Sequence, residues 1–235
     1  MPTYRIAGLT VQMDSFGRTA RQAAPYAVKD GGTAQIVVTR DLPAVRARFP
    51  YLSEDDCEYL ATGDSFYRQL LTFDGMMLHA SAVAVDGRAY LFSAPCGTGK
   101  STHAALWRRT LGERAVILND DKPALRWDGA RFHACGTPWS GKTDLNRPDC
   151  VPLAGVCFLS RGEENSIRPF GGAEAIHALL EQTVRPADPA LADRLLSVLD
   201  KLLTHVKIWS LTCNMEPDAA RLSYGVMSGE REWSK

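Results

Sequence analysis

The stretch Ser93-Ala94-Pro95-Cys96-Gly97-Thr98-Gly99-Lys100-Ser101-Thr102 decides how the rest of the chain is read. It matches the phosphate-binding consensus G-x-x-x-x-G-K-[ST], with Ala94 where the first glycine stands and Gly99, Lys100 and Ser101 in place. Glycines at 97 and 99 let a loop curl with its amides pointing inward, a nest for phosphate oxygens. A helix starting at the same place adds its unsatisfied N–H groups and the positive end of its dipole. On this reading Pro95, Cys96, Gly97, Thr98, Gly99, Lys100, Ser101 and Thr102 surround the phosphates of ATP or GTP. Lys100 reaches the β and γ phosphates, and the Ser101 hydroxyl sits on Mg²⁺. A thiolate is favoured near a helix N-terminus, but Cys96 reads more simply as a loop filler.

The flanks decide between a phosphate site and a glycine-rich turn that merely caps a helix. Upstream, residues 78–85 form an apolar strand, Asp86-Gly87 a hairpin-type turn, and residues 88–93 the returning strand. Downstream, residues 101–110 read as a helix with Leu106 and Trp107 on its apolar side. Ala115-Val116-Ile117-Leu118 then reads as a strand buried on both faces. Strand, loop, helix and strand together are the context the motif requires.

Farther out, short strands are expected at 124–127, 131–135 and 153–160, with a polar loop at 136–148 between the last two. Helices are expected at 172–185 and 187–206, a strand at 207–213 and a last helix at 218–224. Toward the N-terminus, residues 4–13 alternate as a strand would and residues 35–39 form another. A helix enters at Ser53-Glu54-Asp55-Asp56 and runs to about residue 72, with a break at Gly63. Residues 1–65 are therefore expected to form a small β-rich appendage, and residues 66–235 one main α/β domain.

The bulk properties are ordinary. Of 235 residues, 45% are hydrophobic and 23% charged, with 27 basic side chains against 27 acidic. A net charge of zero gives no broad pull toward nucleic acid or anionic lipid, so neither is expected as a partner. Residues 1–10 do not read as a signal peptide, and no apolar run approaches the ~18 residues of a transmembrane helix. The six cysteines form no C-x-x-C pair and are expected reduced and buried, in a cytoplasmic protein.

Asn119-Asp120-Asp121 closes the strand after the loop helix, where an acidic group helps to hold Mg²⁺. Two adjacent carboxylates allow a division of labour, one near the metal and one accepting a proton from an attacking hydroxyl. A carboxylate base beside such a loop suits transfer to an alcohol. His79, alone on its strand, reads on residues alone as an ordinary hydrogen-bonded side chain. The segment Trp139-Ser140-Gly141-Lys142 reads equally as a substrate lid or as a solvated loop around one buried tryptophan.

Taken together, Leu78-His79-Ala80-Ser81-Ala82-Val83, the run 93–102 and Asn119-Asp120-Asp121-Lys122-Pro123 resemble HPr kinase/phosphorylase and its smaller relatives. These include kinases of serines in precursor peptides. The wider group shares its core with phosphoenolpyruvate carboxykinase. The resemblance covers about residues 75–160, and residues 207–213 are similar to the closing strand of the small relatives. It implies a P-loop domain of this type, with a mixed central sheet and flanking helices, acting as a Mg²⁺-dependent kinase of a serine hydroxyl. The family's histidine falls on His79 and its paired aspartates on Asp120 and Asp121. Asp121 then takes the role of base and Asp120 lies nearer the metal, giving His79, Lys100, Asp120 and Asp121 as catalytic residues and Ser101 and Asp120 as metal ligands. The resemblance does not reach the large N-terminal domain of the full-length enzymes, and Gly136-Thr137-Pro138-Trp139-Ser140-Gly141 stands in place of their glutamate-bearing loop. HPr as substrate and the reverse phosphorylase reaction are therefore not implied.

The expected activity is ATP-dependent phosphorylation of a hydroxyl on a peptide, protein or small molecule, with room for a homo-oligomer. The alternatives are a nucleotide-binding regulatory module without transferase activity and a small P-loop NTPase.

Overall fold

The computed structural model describes residues 1–230. The N-terminal strands are β1 (Thr3–Ile6), β2 (Leu9–Met13) and β3 (Ile36–Val38), and the first helices are α1 (Gly17–Ala23), α2 (Leu42–Arg48) and α3 (Glu54–Leu70). Then come β4 (Gly75–Met77), β5 (Ala80–Val85), β6 (Arg88–Ser93), α4 (Lys100–Leu111), β7 (Ala115–Asp121), β8 (Ala124–Trp127) and β9 (Phe132–Cys135). The chain finishes with β10 (Cys150–Arg161), β11 (Ser166–Pro169), α5 (Gly172–Glu181), α6 (Pro189–His205), β12 (Lys207–Cys213) and α7 (Pro217–Ser228).

Several N-terminal expectations need correcting. Residues 4–13 are two strands, because Ala7 and Gly8 both take positive φ (51° and 75°) and turn the chain into the β1–β2 hairpin. Helices outweigh strands before residue 65, so this region is not β-rich: α1 and α2 fill the polar stretches around β3. Helix α3 passes Gly63 unbroken, and the absent side chain there makes room for the indole of Trp139. Its start is as expected, with the Ser53 hydroxyl accepting from the Asp56 amide at 3.1 Å and acidic residues in the first turn.

The main sheet has nine strands in the order β4-β8-β9-β10-β6-β5-β7, with β12 on β10 and β11 on β12. It is mixed. β10 is parallel to β6 and β12, and β5 is antiparallel to both β6 and β7, so β6, β7, β10 and β12 all run the same way. Alternate side chains feed two cores. Ala80, Ala82, Leu91 and Val156 meet Leu179 of α5 and Leu195, Val198 and Leu202 of α6. Val83, Val85, Tyr90 and Phe92 meet Leu106 and Trp107 of α4 and Tyr224 of α7. Each fully buried leucine of this kind contributes about 1.5–3 kcal/mol of transfer free energy. A third core joins β1–β3 to α3 and to Trp139.

The cysteines depart from expectation. Cys135 and Cys150 form a disulfide, Cys96 is exposed, and Cys57 and Cys157 are buried and free. The pairing follows from register: Cys135 of β9 stands directly opposite Cys150 of β10 in an antiparallel pair, with the Cα atoms 4.1 Å apart. Among the described residues no helix is long and apolar enough to cross a membrane.

Candidate functional site

Four strands running the same way bring their C-terminal ends to one edge, the usual place for ligands in sheets of this kind. At that edge β6 ends at Ser93, β7 at Asp121, β10 at Arg161 and β12 at Cys213, and antiparallel β5 begins there, just after His79. The glycine-rich loop at 94–99 leaves the middle of this edge and enters α4. Gly97 and Gly99 have φ of 78° and 124°, conformations that a side chain at Cβ would oppose. Pro95, Cys96 and Gly97 are exposed, Thr98 and Gly99 half-buried, and Ser101 and Thr102 exposed on the first turn of α4.

Lys100 folds back over the loop, its Nζ donating to the carbonyls of Ala94 at 2.9 Å and Pro95 at 3.4 Å. Burial lowers its pKa, and the nearby carboxylates of Asp121 and Asp120 only partly restore it. The strand that leads into the loop and the strand that ends in the acidic pair thus finish at one edge, on either side of β5.

Asp121 is the most heavily partnered member. His79 Nε2 lies 3.2 Å from its Oδ1, the Lys122 ammonium pairs with its Oδ2, and the Tyr59 hydroxyl stands 3.5 Å from the same oxygen. Burial alone would raise its pKa, but the His79 hydrogen bond and the Lys122 charge outweigh burial and hold it at about 2. His79 precedes β5 rather than lying within it, and is fixed by Gln182: its amide donates to the Gln182 carbonyl at 2.7 Å and its Nδ1 lies 3.0 Å from Gln182 Oε1. Asp120 is buried and accepts a hydrogen bond from Ser81, its cross-strand partner on β5. Asn119 takes no part in this cluster. It braces the turn after β7 by accepting from the amides of Asp121 and Lys122 and donating to the Thr137 carbonyl.

Two segments outside the motif close around Asp121. The loop between β9 and β10 lays Gly141 against it, and the Gly141 amide donates to Tyr59 Oη at 2.9 Å. Trp139 is fully buried, stacked on Phe66 and hydrogen-bonded to Thr62, so it anchors this loop and does not act as a lid. The residues missed in the sequence are therefore Tyr59, Ser81, Gln182 and Arg161. The Arg161 guanidinium, at the end of β10, donates to the carbonyls of Gly97 and Thr98. None carries a local signal. Tyr59 sits in α3 like any core aromatic, and Gln182 is brought in from more than a hundred residues away.

Fold and edge together define a mixed α/β protein with a glycine-rich strand-to-helix loop set beside a buried acidic pair. The chain belongs to the family described as SynChlorMet cassette protein ScmC, whose model matches residues 57–215. Among solved structures, the HPr(Ser) kinase/phosphatase from Coxiella burnetii is similar over 68% of this chain and 99% of that chain, at 8% identity and a TM-score of 0.39. A superposition that loose fixes neither fold nor function. A search of curated proteins finds no match.

Proposed function

We propose that the protein is an ATP- or GTP-dependent kinase that phosphorylates a hydroxyl group, a serine in a peptide or protein or the hydroxyl of a small molecule. The observation that carries this reading is that β6, which leads into the glycine-rich loop and Lys100, ends at the same sheet edge as β7, which ends in Asp120 and Asp121, both beside the start of β5. Amides of residues 96–101 cradle the phosphates, and Lys100 exchanges the Ala94 and Pro95 carbonyls for oxygens of the terminal phosphoryl group.

The donor set suits Mg²⁺. Asp120 and Ser101 offer hard oxygens, and a cation that also takes phosphate oxygens and water needs only one or two protein groups. Bound there, Mg²⁺ supplies neutralisation of the charge on the transferring phosphoryl group. Ser81 holds the Asp120 carboxylate in orientation.

Asp121 receives the acceptor. Its carboxylate is ionised at neutral pH and accepts the hydroxyl hydrogen, directing the oxygen at the terminal phosphorus. The new phosphorus–oxygen bond forms as the bond to the bridging oxygen of the nucleoside diphosphate breaks, and the hydroxyl proton passes to Asp121. His79 and Lys122 keep that carboxylate aligned. A group with so low a pKa is a weak base, which fits a transfer whose loose transition state draws the proton away late.

Incubation with labelled ATP or GTP and a panel of serine peptides and small alcohols tests this. Transfer is expected, and Asp121→Asn should lower it by about 10²- to 10⁴-fold while nucleotide still binds. Phosphate release that ignores the acceptor, or binding without any transfer, would speak for an NTPase or a regulatory module instead.

A further inference from the structure

The strand order assigns the two flanks of the loop different surroundings. β6 carries the loop, with β5 and β7 on one side bringing His79, Asp120 and Asp121, and β10 and β12 on the other. A nucleotide whose phosphates lie in the loop must send its terminal phosphate to one flank and its nucleoside to the other. The acidic side holds the groups suited to phosphoryl transfer.

On the opposite side lies a cavity of about 380 Å³ whose wall includes Gly97, Thr98 and Gly99 themselves. Its apolar surface comes from Leu106, Leu159 and Met215, and its polar rim from Arg161 and Asn214. This volume and this mixture suit a small-molecule site. Arg161 already spends hydrogen bonds on the Gly97 and Thr98 carbonyls, which leaves its planar face for stacking on an aromatic ring. Beneath lies His103, whose pKa burial lowers to about 4, so the floor carries no charge at neutral pH that a covering base would strip of water.

We propose that this cavity between α4 and the ends of β10 and β12 binds the base and ribose of the nucleotide, with Arg161 stacking on the base. The assignment rests on the phosphate reading of the loop, but it fails separately from it. Binding of Mg-ATP, Mg-GTP and inorganic tripolyphosphate is compared in the full chain. At least one nucleotide should bind about tenfold or more tightly than tripolyphosphate. Ser160→Trp, at an exposed position that lines the cavity, should erase that advantage and leave tripolyphosphate binding unchanged. In the wild-type protein, 8-azido-ATP or 8-azido-GTP should label peptides containing residues 159–162 or 213–215, independently of how the variant folds. Equal binding of nucleotide and tripolyphosphate, or label on peptides around Tyr59 and residues 136–149, overturns the cavity assignment alone. Failure of all three compounds to bind overturns the loop reading and the cavity with it.

Discussion

Lys100 brings an ammonium group to a place where burial disfavours its charge and where its hydrogen-bond acceptors, among the described residues, are two carbonyls of its own loop. Such an arrangement costs stability in the free protein, and on the proposed reading a bound polyphosphate would relieve it. Lys100→Met should therefore leave the melting temperature of the nucleotide-free protein unchanged or higher, while weakening nucleotide binding by about 10- to 100-fold. That is the equivalent of a charge-assisted hydrogen bond of about 1.5–3 kcal/mol. A clear drop in melting temperature would mean the lysine serves the fold, and scanning calorimetry of the two proteins decides it. Asp121 presents the opposite balance, because its cationic partners overcome burial. The identities of these two residues could be read from the motif and the strand end, whereas their partners could not. Tyr59 and Gln182 reach Asp121 and His79 across 62 and 103 positions of chain, and no local pattern encodes such contacts.

At the scale of elements, α3 has a long-range role that its helical pattern does not announce. One turn of it supplies Tyr59 to the site and Thr62 to Trp139, and the same turn buries Glu58 completely. Glu58 Oε2 has no hydrogen-bond partner among the described residues, and burial raises its pKa above the ordinary 4.5. A raised carboxyl pKa means that stability is fully present below about 4.5 and declines as the pH rises through the folded value. Glu58→Gln should thus raise the melting temperature at pH 7 by a few degrees, about 1 kcal/mol or more, with the gain vanishing near pH 4. Melting curves from pH 4 to pH 8 check this, and a variant less stable at pH 7 would refute it. The central elements were plain from composition and turn residues, with β6 and β12 ending where expected. The helices α1 and α2 were hidden because they are only two turns long and owe their form to packing. The Cys135–Cys150 pairing was hidden for a different reason, since it depends on the register of β9 against β10.

For the whole molecule, the decisive fact is that β6, β7, β10 and β12 run the same way and end together. This direction places the loop between an acidic flank and an apolar cavity. The strands could be found from hydrophobic runs, but their order could not, because antiparallel β5 lies between β6 and β7 and only the folded sheet shows it. The most direct test of the account is isothermal titration of Mg-ATP and Mg-GTP into the full chain. Heat from a single site is expected for at least one of them, lost or greatly weakened in Lys100→Met. No heat from either nucleotide, or the same binding curve with the lysine replaced, would contradict it.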